Sequence, residues 1–108
     1  MKQAEILRIV SERFDVTKPC VFNWLKSGIL YAQRRIDAAL AGKRTDFTPP
    51  AEGYAVYLEQ RHGTSLAEVS RFYGYGKGTI YGLLARVPKT KRVWTMIDYY
   101  LEQQHASE

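Results

Sequence analysis

The chain has 108 residues, a length that allows one compact unit or two very small ones. Its hydrophobic fraction of 45% suffices for a packed core and argues against wholesale disorder. The net charge of +5 favours a polyanionic partner, and a single cysteine excludes an intrachain disulfide or a cysteine zinc cluster. No stretch approaches the roughly 20 apolar residues that span a bilayer, and the charged start does not resemble a signal peptide. We therefore expect a soluble, cytoplasmic protein.

An amphipathic helix followed by a tight turn is predicted at the start of the chain. Within residues 3–14, Leu7, Val10 and Phe14 fall on one stripe of a helix. Asp15 follows at a turn position where φ is often positive, and Asp tolerates that conformation better than most residues with a Cβ. The pattern predicts a helix that ends at a left-handed residue.

A second short helix is predicted between Thr17 and Gly28. Thr17 is suited to be its N-cap, Pro19 falls in its first turn, and Gly28 is suited to end it in a left-handed conformation. Its predicted buried face consists of Val21, Trp24 and Leu25. Its exposed face carries an amide, two cations and an aromatic ring: Asn23, Lys18, Lys26 and Phe22.

Across this helix pair runs a pattern of small, turn and apolar residues: Ser11, Asp15, Val16, Val21 and Trp24. The pattern resembles the helix-turn-helix of Cro/C1-type phage repressors and the related YdaS-like regulators. It departs from that family at Ser11, where alanine is usual, at Asp15, where glycine is usual, and at Lys18, where glutamine is common. Lys18 changes which base or phosphate would be contacted. The resemblance covers residues 5–41 well and 51–101 moderately.

A third helix is predicted from Tyr31 to Ala41, with Ile36, Ala39 and Leu40 on one face. Arg34 and Arg35 near its start oppose the helix dipole, which favours anions there, and this placement suggests that they hold a phosphate. The polar, proline-containing segment 42–50 is the predicted boundary between a first unit, residues 1–45, and a second, residues 46–108, although the two could pack as one compact domain.

The second unit is predicted to begin with a helix from Pro49 to Arg61, capped by Thr48 and closed by His62 and Gly63. The predicted apolar side of that helix is Tyr54, Val56, Tyr57 and Leu58. A capping box, Ser65 to Glu68, opens another helix that runs to about Tyr73.

This second stretch repeats the first at an offset of 59 residues: Leu7 matches Leu66, Val10 matches Val69, Ser11 matches Ser70, Asp15 falls on Gly74, and Val21 falls on Ile80. The sequence therefore predicts an all-α protein of about seven short helices that form two tandem helix-turn-helix units. In the second unit the predicted reading helix, residues 77–85, lies among three glycines, Gly76, Gly78 and Gly82, and interior glycine costs about 0.8–1 kcal/mol relative to alanine. The last helix, about residues 92–104, is interpreted as a source of further contacts or a dimer face through Trp94, Ile97 and Leu101.

The resemblance implies DNA contacts in both units. The implied base-reading residues are Thr17, Lys18, Phe22 and Asn23. The implied phosphate or second-unit contacts are Lys26, Arg34, Arg35, Lys77, Thr79, Tyr81, Arg86, Lys89, Lys91 and Arg92. Three alternatives stay open: Phe22 as a core residue, and the segments 43–44 and 89–92 as ordinary solvated loops.

The predicted function is sequence-specific binding of double-stranded DNA as a small repressor of a phage, plasmid or mobile-element operon. A homodimer on a palindromic operator is favoured, and one chain that covers two half-sites is the other arrangement. The alternative function is a protein-interaction module that inhibits a host regulator. An enzyme is not expected, because His62, His105 and Cys20 lack obvious catalytic partners and the glycines of residues 73–78 do not match a phosphate loop. No metal, cofactor or small-molecule ligand is expected.

Overall fold

The structure is a computed structural model that describes residues 2–74 and 90–106 of the chain. Within these ranges the regular secondary structure is entirely helical: α1 Gln3–Phe14, α2 Lys18–Ser27, α3 Leu30–Ala41, α4 Tyr54–His62, α5 Leu66–Phe72 and α6 Thr90–Ala106. The predicted all-α class is confirmed. The helix predicted at 77–85 lies outside the described residues.

The turn between α1 and α2 forms as the sequence predicts. Asp15 ends α1 with a φ of 54°, in the left-handed region. The Thr17 hydroxyl oxygen accepts a hydrogen bond from the Cys20 amide at 3.4 Å, which satisfies one of the free N–H groups of the first turn of α2. Gly28 ends α2 with a φ of 66°. These local signals fix the end of α1 and both ends of α2.

The described helices share a hydrophobic core to which both predicted units contribute. α1, α2 and α3 pack against one another, and α6 packs against α1, α3 and α5. The largest side chains that are fully buried in this core are Tyr73, Phe14, Leu58, Met96, Ile97, Val10, Val21 and Val69. Residues 2–45 therefore do not bury their apolar faces alone, because α6 covers part of them.

The start of α4 was predicted wrongly. The helix begins at Tyr54 with Gly53 as its N-cap, five residues after the predicted start at Pro49. Thr48 does not cap it, because its amide and hydroxyl both donate to the Asp46 carboxylate, at 3.0 and 2.7 Å. The Thr48 carbonyl accepts a hydrogen bond from Trp94 Nε1 at 3.0 Å, which holds this segment extended against α6. The end of α4 was predicted correctly, since Gly63 has a φ of 62°.

Three predicted helix faces also need correction. Leu40 and Val56 were assigned to buried faces, but they are 36% and 38% exposed. The dimer face predicted on α6 is wrong, because Trp94 is only 3% exposed and Ile97 is fully buried. Leu101 is half-buried and packs against the same core. α6 buries this face within its own chain, since α1, α3 and α5 all pack on it.

α1 and α5 match in burial and in turn conformation at several of the positions that the repeat aligns. Val10 and Val69 are both fully buried, as are the residues immediately before the two turns, Phe14 and Tyr73. The turn residues themselves, Asp15 and Gly74, both have positive φ, 54° and 74°. The Ser65 hydroxyl oxygen accepts from the Glu68 amide at 3.3 Å, as a cap of α5 should. The tandem helix-turn-helix arrangement stays a prediction, because residues 75–89 lie outside the described ranges.

Candidate nucleic-acid interface

The exposed face of α2 carries four of the residues predicted to touch DNA. Lys18, Phe22, Asn23 and Lys26 are all exposed on this helix, and Thr17 lies exposed at its N-cap. The helix contains no acidic residue, so its face has two positive charges and no negative one. The opposite face is anchored by Val21, Trp24 and Leu25, which pack into the core. α2 therefore presents a cationic, partly apolar surface.

Phe22 lies at the surface and not in the core. Its side chain is 36% exposed, and Lys26 Nζ lies 4.4 Å from the centroid of its ring. A cation over an aromatic face is attracted by the ring quadrupole, so the lysine and the ring restrict each other's rotamers. A shallow cleft of about 360 Å³ opens beside them, and it is lined by Gln3, Ile6, Phe22, Leu25 and Lys26.

An aromatic pair and a cation–π contact fix α2 against its neighbours. Trp24 meets Phe14 of α1 edge to face, with 5.6 Å between ring centroids. The Arg35 guanidinium of α3 lies 5.1 Å from the Trp24 ring centroid and 5.0 Å from that of Tyr31. Such pairs add about 0.5–1.5 kcal/mol to the apolar burial of each ring. Arg35 was predicted to hold a phosphate, and in the structure it stacks on the aromatic ring that anchors α2.

Arg34 and Arg92, also predicted to contact phosphate, donate hydrogen bonds to backbone carbonyls. Arg34 Nη1 donates to the Phe72 carbonyl at 2.6 Å, and its guanidinium carbon lies 4.0 Å from the Phe72 ring centroid. Arg92 Nε and Nη2 donate to the Phe14 carbonyl at 3.2 and 3.0 Å. The sequence pointed to a special role for Arg34, because it opposes the helix dipole, but gave no signal for Arg92.

The remaining predicted contacts are dispersed. Lys91 is exposed at the start of α6. Five others lie outside the described residues: Lys77, Thr79, Tyr81, Arg86 and Lys89. Of the predicted set, the structure thus brings together the four residues on the exposed face of α2 and its N-cap, Thr17.

Arg44, which the sequence allowed to be an ordinary loop residue, is bound on two sides. It forms a bidentate salt bridge with the Asp98 carboxylate, with Nε–Oδ2 and Nη2–Oδ1 distances of 2.7 and 3.1 Å. Its guanidinium carbon lies 3.8 Å from the Trp94 ring centroid. The hydrogen bond with Asp98 raises the pKa of Arg44 above its ordinary value. This arginine ties the loop after α3 to α6.

Among residues 2–74 and 90–106, no group of three or more His, Cys, Asp or Glu side chains comes together in a way that would hold a metal ion. In the same ranges, no helix has both the length and the apolar character that crossing a membrane requires.

Comparisons with protein-family models, with curated proteins and with solved structures found no match to this chain. The resemblance to Cro/C1-type regulators thus rests on the residues that carry it.

Proposed function

We propose that this chain is a sequence-specific, double-stranded DNA-binding regulator of transcription, acting as a repressor. The observation that carries the proposal is the α1–turn–α2 geometry, in which a left-handed Asp15 precedes a helix with one anchored and one cationic exposed face. A helix-turn-helix lays its second helix in the major groove, with side chains of that helix against base edges.

The side chains on the exposed face suit base edges and phosphates. An Asn amide forms bidentate hydrogen bonds with adenine, a Lys ammonium donates to guanine, and an aromatic ring packs on the thymine methyl group. Asn23, Lys18 and Phe22 supply these three groups, and all three are exposed on α2. Lys26, near the C-terminal end of the helix, would hold a flanking phosphate, and Thr17 at the N-cap would lie beside the base-reading side chains.

Repression would follow when the bound protein occupies an operator that overlaps a promoter. A palindromic operator would take two copies of the chain, one for each half-site, because α2 of one copy reads one half-site. The formation of a homodimer on DNA is part of the proposal.

A second candidate function is binding to a regulatory protein of the host. It is favoured by an apolar patch at the start of α3, where Ile29 and Leu30 are 48% and 50% exposed. Contiguous exposed apolar side chains often mark protein interfaces. Two residues make a small contact, so this patch supports a protein partner less strongly than the α2 face supports DNA.

The test is selection of bound duplexes from a random pool with the wild type, with Asn23→Ala and with Gln60→Ala. Gln60 is an exposed amide on α4 and serves as the matched control. Loss of one two-pronged base contact costs about 1–3 kcal/mol, so Asn23→Ala should bind the selected site about 5- to 150-fold more weakly. Gln60→Ala should bind it as the wild type does.

The outcomes separate the candidates. An enriched palindrome that Asn23→Ala no longer selects supports the specific reader. Binding without any enriched sequence, weakening steeply as salt rises, would replace it with a nonspecific coating role. Absence of DNA binding would reject the proposal and favour the protein partner.

A further inference from the structure

Two arginines each donate to the carbonyl of the last residue of a helix in the other half of the chain. Arg92 of α6 donates from Nε and Nη2 to the carbonyl of Phe14, the final residue of α1. Arg34 of α3 donates from Nη1 to the carbonyl of Phe72, the final residue of α5. Each half of the chain therefore supplies one arginine that binds a helix end in the other half.

The chemistry of a helix end explains why arginine suits this position. The last four carbonyls of a helix lack an intrahelical donor, and the helix dipole makes that end attractive to a cation. A guanidinium that donates to such a carbonyl forms a charge-assisted hydrogen bond, about twice as strong as a neutral one. Arg92 directs two of its N–H groups at one oxygen and is half-buried in doing so.

The Phe14 carbonyl belongs to the peptide unit that opens the turn before the reading helix. The next residue, Asp15, adopts the left-handed conformation that redirects the chain into α2. The Val16 amide then donates back to the Ser11 carbonyl at 3.0 Å, which completes the turn. Fixing the Phe14 carbonyl therefore restrains the peptide plane on which the angle between α1 and α2 depends.

We propose that Arg92 is a positioning residue for DNA reading. From α6, its guanidinium binds the Phe14 carbonyl and so holds the turn between α1 and α2 in the geometry that binds DNA. It does not contact a phosphate. This inference rests on the proposed function, because positioning matters only if α2 reads a partner.

The two roles predict different dependence on salt. A phosphate contact releases a counterion, so its removal makes the slope of log K against log salt shallower by about 0.9 and weakens binding to every sequence alike. A positioning residue changes the fraction of chains in the competent geometry, and the apparent dissociation constant rises in inverse proportion to that fraction. Specific binding then falls, while the salt slope and nonspecific binding keep their wild-type values.

The experiment uses the full chain and four variants: Arg92→Ala, Arg92→Lys, Lys91→Ala and Arg34→Lys. Arg92→Lys keeps the charge but loses the two-pronged donor geometry, and it covers the case in which Arg92→Ala fails to fold. Lys91→Ala removes an exposed charge from the neighbouring position. Arg34→Lys alters the hydrogen bond to the Phe72 carbonyl at the end of α5 and controls for a general loss of stability.

Three quantities are measured: affinity for the operator selected with the wild type, affinity for an unrelated duplex across a salt series, and hydrogen exchange of the Val16 amide without DNA. Both Arg92 variants should bind the operator about tenfold more weakly, as expected when the competent fraction falls to about one tenth. Their salt slope and their affinity for the unrelated duplex should stay as in the wild type. Val16 should exchange faster in both, and as in the wild type in Arg34→Lys.

Two results would overturn the role of Arg92 and leave the proposed function intact. In the first, Arg92→Ala makes the slope of log K against log salt shallower by about 0.9 and lowers the affinity for both duplexes equally, which identifies a phosphate contact. The other is wild-type operator affinity in Arg92→Lys with unchanged Val16 exchange. Failure of the wild type to bind any duplex would reject the proposed function and this role together.

Discussion

Two buried tyrosines allow the net value of one hydrogen bond in this core to be measured. Tyr73 is fully buried, and its hydroxyl donates to the Met96 carbonyl of α6 at 2.8 Å. Tyr54 is 7% exposed, and its buried hydroxyl has no hydrogen-bond partner among the described residues. Burial accordingly raises the pKa of Tyr54 above its ordinary value. The two hydroxyls thus differ in whether they have a hydrogen-bond partner among the described residues.

Replacement by phenylalanine should therefore act differently at the two positions. A paired hydroxyl contributes about 0.5–1.5 kcal/mol net, so Tyr73→Phe should lower the free energy of unfolding by about 1 kcal/mol. A buried hydroxyl without a partner carries a desolvation cost, so Tyr54→Phe should leave the stability unchanged or raise it. Tyr100→Phe is the intermediate case, because the Tyr100 hydroxyl lies 3.1 Å from the Thr64 hydroxyl.

The assay is equilibrium unfolding in urea, with the midpoint compared at a common slope. A loss in Tyr54→Phe as large as that in Tyr73→Phe would refute the reasoning, because it would show that pairing of the hydroxyl does not decide the cost. A change of slope in either variant would indicate that the unfolded or folded ensemble has changed, and the comparison would then be repeated by hydrogen exchange.

Two further predictions concern the left-handed turn after α5 and the loop before α4. Gly74→Ala should destabilise the chain by about 1–2 kcal/mol because of its φ of 74°, and its new Cβ would also lie 3.3 Å from Leu30 Cδ2. Gly63→Ala is the control for the backbone cost alone, because Gly63 has a φ of 62° and no described atom lies within 4 Å of the new Cβ. A smaller loss of stability in Gly74→Ala than in Gly63→Ala, measured by thermal unfolding, would contradict this account. Hydrogen bonds from the Thr48 hydroxyl and amide lower the pKa of Asp46, so the stability they supply is present above the unfolded pKa and lost as pH falls through the folded one. In acid titrations of stability, Asp46→Asn should flatten that part of the curve, and an unchanged curve would count against the contact.

Local signals were sufficient to predict the helix ends that a few neighbouring residues decide. Thr17, Ser65 and Gly63 act as caps where the sequence placed them, and Asp15 adopts positive φ as the turn pattern requires. Each of these depends on hydrogen bonds within about one turn of the chain. The exposed face of α2 followed in the same way from helical spacing.

Contacts between distant residues account for the errors. The predicted start of α4 failed because the Thr48 carbonyl bonds to Trp94, 46 positions away. The bond between Arg92 and the Phe14 carbonyl spans 78 positions. No local pattern indicates such a partner. Arg92, which the sequence predicts to contact a phosphate, therefore donates to a backbone carbonyl in the structure. The supposed dimer face of α6 was misread for the same reason, since an apolar stripe does not state which surface covers it.

The central place of α6 also sets the order in which the chain completes its fold. Synthesis from the N-terminus releases α1, α2 and α3 first, and α6 follows after an interval on the order of seconds. Until then, Val10 and Ile36 lack the helix that helps to cover them, since α1 and α3 both pack on α6. The nascent N-terminal half is therefore the stage most exposed to aggregation and to chaperones, and the proposed DNA reading by α2 would require that the last described helix has docked.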